Sequence, residues 1–228
     1  MTAAADNIFE AAVSRFEPYN GKIPPFERSE LLWSEGGVGI WLADNWGPAV
    51  PYPPIDHGDG TQNFGYMSVK GNAANIAAIP EIQGWAEYQK FLEVLNAVGS
   101  PIETVGCEKH FYPAPHDGPP GATRTLGSYT DIIYSNARLN DLPANILRLA
   151  SALTVAVIGC EQWWGDISFA LQRFKFVRGA TAPWGLSLYV KNYGRDEDEC
   201  RKYWSESIAR IGKAAAILPA DFGCADIT

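Results

Sequence analysis

The side chains best suited to chemistry are the three histidines, His57, His110 and His116, and the carboxylates beside them. His57-Gly58-Asp59 sets an imidazole and a carboxylate two positions apart, and His116 supplies a second imidazole. Two imidazoles and one carboxylate can hold Fe(II) on one face and leave positions free for dioxygen and a 2-oxo acid. The guanidinium fork of Arg124 would suit that acid's far carboxylate. This reading, a non-heme Fe(II)/2-oxo-acid-dependent oxygenase using His57, Asp59 and His116, is the alternative. Both histidines stand in proline- and glycine-rich stretches, PPIDHGDG and PAPHDGPPG, whose residues are ordinary turn makers. No catalytic residue, metal ligand or cofactor is therefore assigned in the main reading.

Nucleophilic chemistry finds no support. No Gly-x-Ser-x-Gly elbow is present, and Cys107 and His110 fall three apart on one expected strand, which turns them to opposite faces. The four cysteines contain no Cys-x-x-Cys pair to hold zinc and read as reduced thiols. Glu81 and Glu87 read as solvated helix positions.

The elements that must position any site follow from hydrophobic periodicity. Ile8, Phe9, Ala12, Val13 and Phe16 recur at helical spacing behind Asp6, predicting a short opening helix over residues 7–16. Val38, Ile40 and Leu42 alternate within residues 37–45 and predict a strand. Residues 47–60, dense in proline and glycine, predict a structured loop. Three segments repeat a strand-then-helix theme: 65–71 leading to a helix over 80–98, 128–136 leading to one over 142–158 capped by Asp141, and 185–194 leading to one over 196–217. Residues 102–112 and 167–177 alternate as strands do. The expected fold is a single α+β domain over residues 1–228, a layered sandwich with a mixed or mainly antiparallel sheet and three main helices.

Acidic residues outnumber basic ones 26 to 18, giving a net charge of −8. Such a surface repels phosphate backbones and anionic lipid, which speaks against nucleic acid as a partner, and it steers a cationic protein inward. The longest apolar run, residues 149–159, is too short to span a bilayer, and residues 1–16 lack the pattern of a signal peptide. The expected location is the cytoplasm.

The chain also carries eight Trp, ten Tyr and ten Phe. Trp46, Tyr52, Trp163 and Trp164 adjoin glycine or proline turns, and Asp56 and Asp59 share the loop of the first two. Trp and Tyr anchor interface hot spots, so these six residues are the expected partner contacts. With the segment GVGIWLADNWG at 37–47, the strand-helix units and the acidic balance, the whole chain resembles the immunity proteins of bacterial polymorphic-toxin and type VI secretion systems. That resemblance implies a non-enzymatic protein that binds a cognate basic toxin effector, often a nuclease, and occludes its active site.

Overall fold

The computed structural model describes residues 29–56, 58, 62–158 and 165–224. The expected opening helix over 7–16 lies outside them, as do His57, Asp59, Trp163 and Trp164. In chain order the elements are β1 (Glu30–Glu35), β2 (Val38–Val50), β3 (Ile55–Asp56), β4 (Gln62–Asn63), α1 (Ala73–Ala77), α2 (Ala86–Leu95), β5 (Ile102–Pro113), β6 (Arg124–Tyr134), α3 (Pro143–Thr154), β7 (Gly165–Val177), β8 (Trp184–Gly194) and α4 (Glu197–Ala216). Six strands form one sheet in the order β1-β2-β7-β8-β6-β5, and β3 pairs with β4 in a small separate ribbon. Only β2 and β7 run parallel; every other pair is antiparallel. The fold is thus the α+β layered arrangement that the sequence predicts, with a mixed, mainly antiparallel sheet and three long helices.

Strand alternation divides the sheet's side chains into two sets. Leu126 and Ile132 of β6, Ile167, Phe169 and Leu171 of β7, and Leu186, Leu188 and Val190 of β8 join one core with Ile146, Leu149 and Leu153 of α3 and Trp204, Ile208 and Ile211 of α4. The helices therefore layer on one face. On α4 the Asp196 carboxylate accepts from Glu199 N at 2.8 Å, so an N-cap and an acidic first turn start the helix as its sequence implies. The indole of Trp204 lies in the core, donates to Ser128 Oγ at 2.8 Å, and meets Tyr88 edge-on at 5.2 Å between ring centroids. Tyr88 of α2 in turn donates to the carbonyl of Tyr129 at 2.6 Å. The helix layer thereby holds β6 by its backbone at residue 129.

Several local expectations are corrected. Strand β2 continues to Val50, through residues expected to be loop, because its second half pairs with β7 after a register shift between Leu42 and Trp46. Residues 65–71 form no strand. The helix expected over 80–98 divides into a 3-10 turn at Pro80–Ile82 and α2, with Gly84 at a φ of +77° between them. Asp141 does not cap α3. That helix starts after Leu142 with Pro143 in its first turn, and the Asp141 carboxylate instead accepts from Thr181 N at 2.6 Å and Ala182 N at 2.8 Å, pinning the β7–β8 connection. Strand β1 was not expected. Its hairpin to β2 turns on Gly36 and Gly37, both at positive φ, the backbone that a two-residue hairpin loop demands.

Candidate binding face

The other face of the sheet carries no helix among the described residues. At one end it is closed by an apolar cluster of Val50, Val105, Ile133, Phe174 and Val177, against which Tyr66 packs. Phe174 fits because its neighbours on β2 and β8 are Gly47 and Gly185; a Cβ on Gly185 would lie 2.2 Å from its ring. Just past β2, Tyr52 donates to Val105 O at 3.1 Å and its own carbonyl accepts from Tyr66 N at 2.9 Å. The segment after β2 is thus fastened to the β5 edge.

Beyond that closed end, the register aligns polar and aromatic side chains in rows across β5, β6, β8 and β7. Glu108, Tyr129, Tyr189 and Ser168 form one row; His110, Gly127, Lys191 and Asp166 form the next. Tyr112 and Tyr193 flank Thr125 in the row after these. The Tyr129 and Tyr189 rings stand 6.4 Å apart between centroids, and those of His110 and Tyr112 5.2 Å apart. His110 Nδ1 lies 3.9 Å from Glu108 Oε1, and Tyr193 donates to Asp166 Oδ2 at 2.8 Å.

Gly127 leaves a gap in the middle of this surface. A groove of about 180 Å³ opens over it, walled by Glu108, His110, Tyr112, Tyr129, Tyr189 and Lys191. The Tyr112 ring leans across the glycine, so that a Cβ there would meet its hydroxyl at 2.5 Å. Burial pushes the phenols of Tyr112, Tyr129 and Tyr189 above their ordinary value, with the Asp131 carboxylate adding to the shift at Tyr129 and Tyr189. They stay protonated at neutral pH and can both donate and accept.

One row further toward the closed end, Asp131 is buried, accepts from Ser187, and Ser187 accepts from Gln172 Nε2. Desolvation raises the Asp131 carboxyl from 3.8 to about 6, opposed by the Ser187 hydrogen bond. Gln172 Oε1 is buried without a partner. Ser187 is itself fully buried, so the chain Gln172–Ser187–Asp131 ties three strands together beneath the surface.

The expected contact residues are dispersed. Trp46 is 55% exposed, and its ring lies 5.9 Å from the Arg173 guanidinium, which also lies 5.2 Å from the ring of buried Trp184. Its register partner Arg173 thus puts it on the helix-bearing face, opposite to Tyr52. Tyr52 is half-buried, meets Tyr66 edge-on at 6.1 Å, and burial with the nearby Asp131 pushes its phenol to about 12. Asp56 is exposed in the ribbon, where it accepts from Gly58 N at 2.8 Å. Of the metal set, His116 is exposed in the β5–β6 connection, and Arg124 lies 3.4 Å from Glu197 of α4. Among the described residues no group of three His, Cys, Asp or Glu side chains converges to hold a metal.

Tyr112, Tyr129, Tyr189, Lys191 and His110 were not singled out as site residues. Their signal lay in the strand segments EKHFY, SYTDIIY and GLSLYVKNY, where tyrosine, histidine or lysine stands at positions turned away from the helices. Larger hollows, of about 660 and 450 Å³, flank α4 on the helix layer; alanine, valine and isoleucine line both, with Phe91 in the smaller, beside Lys and Glu. No described helix is long and apolar enough to cross a membrane.

Comparison with protein-family models, curated protein sequences and solved structures gave no match. Fold and side-chain chemistry alone bear on the function.

Proposed function

We propose that the protein is a non-enzymatic, cytoplasmic binding protein that neutralises a cognate basic protein toxin, a nuclease in the first instance, by docking over its active site. The sheet face that no described helix covers is the docking surface, and the observation that carries this is the tyrosine row across Tyr129 and Tyr189 beside Tyr112, rigid aromatic anchors on backbone held from behind by α2. Tyrosine is over-represented at binding hot spots and loses little side-chain entropy on docking. The groove between these rings, at about 180 Å³, is smaller than the roughly 300–1,000 Å³ typical of sites that enclose a whole small molecule. It suits a protruding side chain of a larger partner. The chain's net charge of −8 favours encounter with a basic surface and sets mainly the rate of association. Asp56 is retained as a flanking contact, with Tyr52 anchoring the segment that carries it; Trp46, on the helix-bearing face, lies outside this docking surface, and Asp59, Trp163 and Trp164 keep their proposed role as partner contacts on sequence grounds alone.

Affinity capture from the lysate of the source cells tests this, comparing the wild-type chain with Tyr129→Ala/Tyr189→Ala. A basic protein recovered in near-equal amount by the wild type, depleted with the variant, and freed of its toxicity when co-expressed with the wild type is the expected result. Recovery of no protein that depends on the two tyrosines overturns the reading.

A further inference from the structure

The groove over Gly127 has a definite chemistry, and the inference drawn from it rests on the docking reading above. We infer that it receives a single cationic side chain, an arginine or lysine, presented by the protein partner. Its size admits one side chain, and its floor includes Gly127, over which the Tyr112 ring leans. Its walls include the rings of Tyr112, Tyr129 and Tyr189, whose faces carry the negative end of the ring quadrupole.

The charges agree. On this face Glu108 stands in the groove wall, Asp166 lies beyond Lys191 in the Gly127 row, and Asp131 sits on the same strand as Gly127, beyond Tyr129. Lys191 is the opposing cation, and its register partner is Asp166. Asp131 is buried and bonded to Ser187, which leaves Glu108 and Asp166 against Lys191, a small negative excess that agrees with the charge of the chain as a whole. The phenol oxygens can accept from a guanidinium or ammonium while their rings cover its stem. A carboxylate or phosphate entering the same groove would meet Glu108 directly and gain only Lys191, His110 and hydroxyl donors.

The test uses the intact chain and four capped tripeptides, acetyl-Gly-X-Gly-amide with X as Arg, Lys, Leu or Glu, titrated at low ionic strength while amide shifts are followed by NMR. The Arg peptide is expected to move Gly127, Tyr129 and Tyr189 saturably, the Lys peptide to do so more weakly, and the Leu and Glu peptides to bind roughly 5- to 30-fold more weakly than Arg. Glu108→Gln and, separately, Tyr129→Leu should each weaken the Arg peptide by at least about 3-fold. Amide shifts elsewhere in the sheet report that each variant is folded. Equal binding of all four peptides, preference for the Glu peptide, or shifts confined to residues away from the groove would overturn the inference. If the peptides fail while lysate capture still depends on Tyr129 and Tyr189, the cation pocket falls and the docking face stands. If both fail, the docking reading falls with it.

Discussion

Tyr129 of β6 and Tyr189 of β8 are register partners at the middle of the sheet, with ring centroids 6.4 Å apart. They occupy equivalent places in two successive hairpin-then-helix units, β5-β6-α3 and β7-β8-α4, whose inner strands β6 and β8 lie side by side and antiparallel. On β8 Leu186, Leu188 and Val190 face the helices and Tyr189 faces away; on β6 Leu126 and Ile132 face the helices and Tyr129 faces away, on the same side as Ile133 of the apolar cluster. The aromatic pair in this row forms only where the two units meet, one ring coming from each.

Removing the pair should therefore cost binding and little else. Tyr129→Ala/Tyr189→Ala deletes rings on the face opposite the helices, leaving the helix-side core intact. The expected loss in affinity for the captured partner is at least about 2 kcal/mol, a fall of roughly 30-fold in the association constant. Titration calorimetry measures this, and circular dichroism should show the secondary structure of the wild type. An affinity unchanged within 2-fold would place the partner elsewhere on the molecule.

Two glycines on the same face predict opposite outcomes for the same substitution. At Gly127 an added Cβ meets the hydroxyl end of Tyr112, a half-exposed ring that can swing away. At Gly185 it meets the ring of Phe174, 1% exposed and enclosed by Val50, Val105, Ile133 and Val177. Gly127→Ala should fill the groove and abolish partner and peptide binding with a melting temperature within a few degrees of wild type. Gly185→Ala should cost about 1–3 kcal/mol, lowering the midpoint by roughly 2–12 °C. Differential scanning calorimetry on both variants decides it, and equal destabilisation would contradict the contrast.

Much of this scaffold was legible in the sequence, because half-buried strands and amphipathic helices write their periods directly. Residues 102–112 and 167–177 read as strands and are strands, and the acidic start and basic end of α4 mark its limits. Other features depend on partners distant in the chain. Asp141 resembles a helix cap by position but is claimed by Thr181 and Ala182, some 40 residues on. The passage of β2 through Gly47 and Pro48 is set by pairing with β7, which a local count of prolines and glycines misreads as loop. Strand β1 went unread although Gly36-Gly37, a pair suited to a two-residue hairpin loop, stands directly before β2. The groove over Gly127 needs three strands in register before it exists, so its residues looked like ordinary members of their own strands.

Tyr88 should matter through the backbone it holds. Its hydroxyl donates to the Tyr129 carbonyl at 2.6 Å, lies 2.9 Å from Thr130 Oγ1, and is fully buried. Tyr88→Phe leaves that carbonyl without this donor, a loss of about 1–3 kcal/mol. The ring's packing on Trp204 is kept, so the fold should survive. Urea denaturation is expected to show a lower midpoint at an unchanged slope, with the binding face still competent at temperatures where the variant is folded. A midpoint equal to the wild type would mean the hydroxyl contributes nothing.

Asp131 should give the protein a pH-dependent stability that an amide in its place removes. Its carboxyl titrates near 6 in the fold against an ordinary 3.8, because burial disfavours the charged form. The folded state therefore holds the proton more tightly than the unfolded chain does. The favourable contribution is full below about pH 4, declines as pH rises from 4 to 6, and is gone above that range. The titratable groups that feel its charge, Tyr52, Tyr88, Tyr129, Tyr189 and Cys107, are all pushed upward by burial and do not change charge in this window. Asp131→Asn stays neutral throughout and keeps an oxygen to accept from Ser187. Relative to wild type, the variant should gain stability steadily between pH 4 and 6, by roughly 3 kcal/mol in total, and hold that difference constant up to pH 8. Thermal melts of both proteins across this range measure the difference directly. Parallel stability curves would show that Asp131 is not the buried, proton-retaining acid that its place behind the tyrosine row requires.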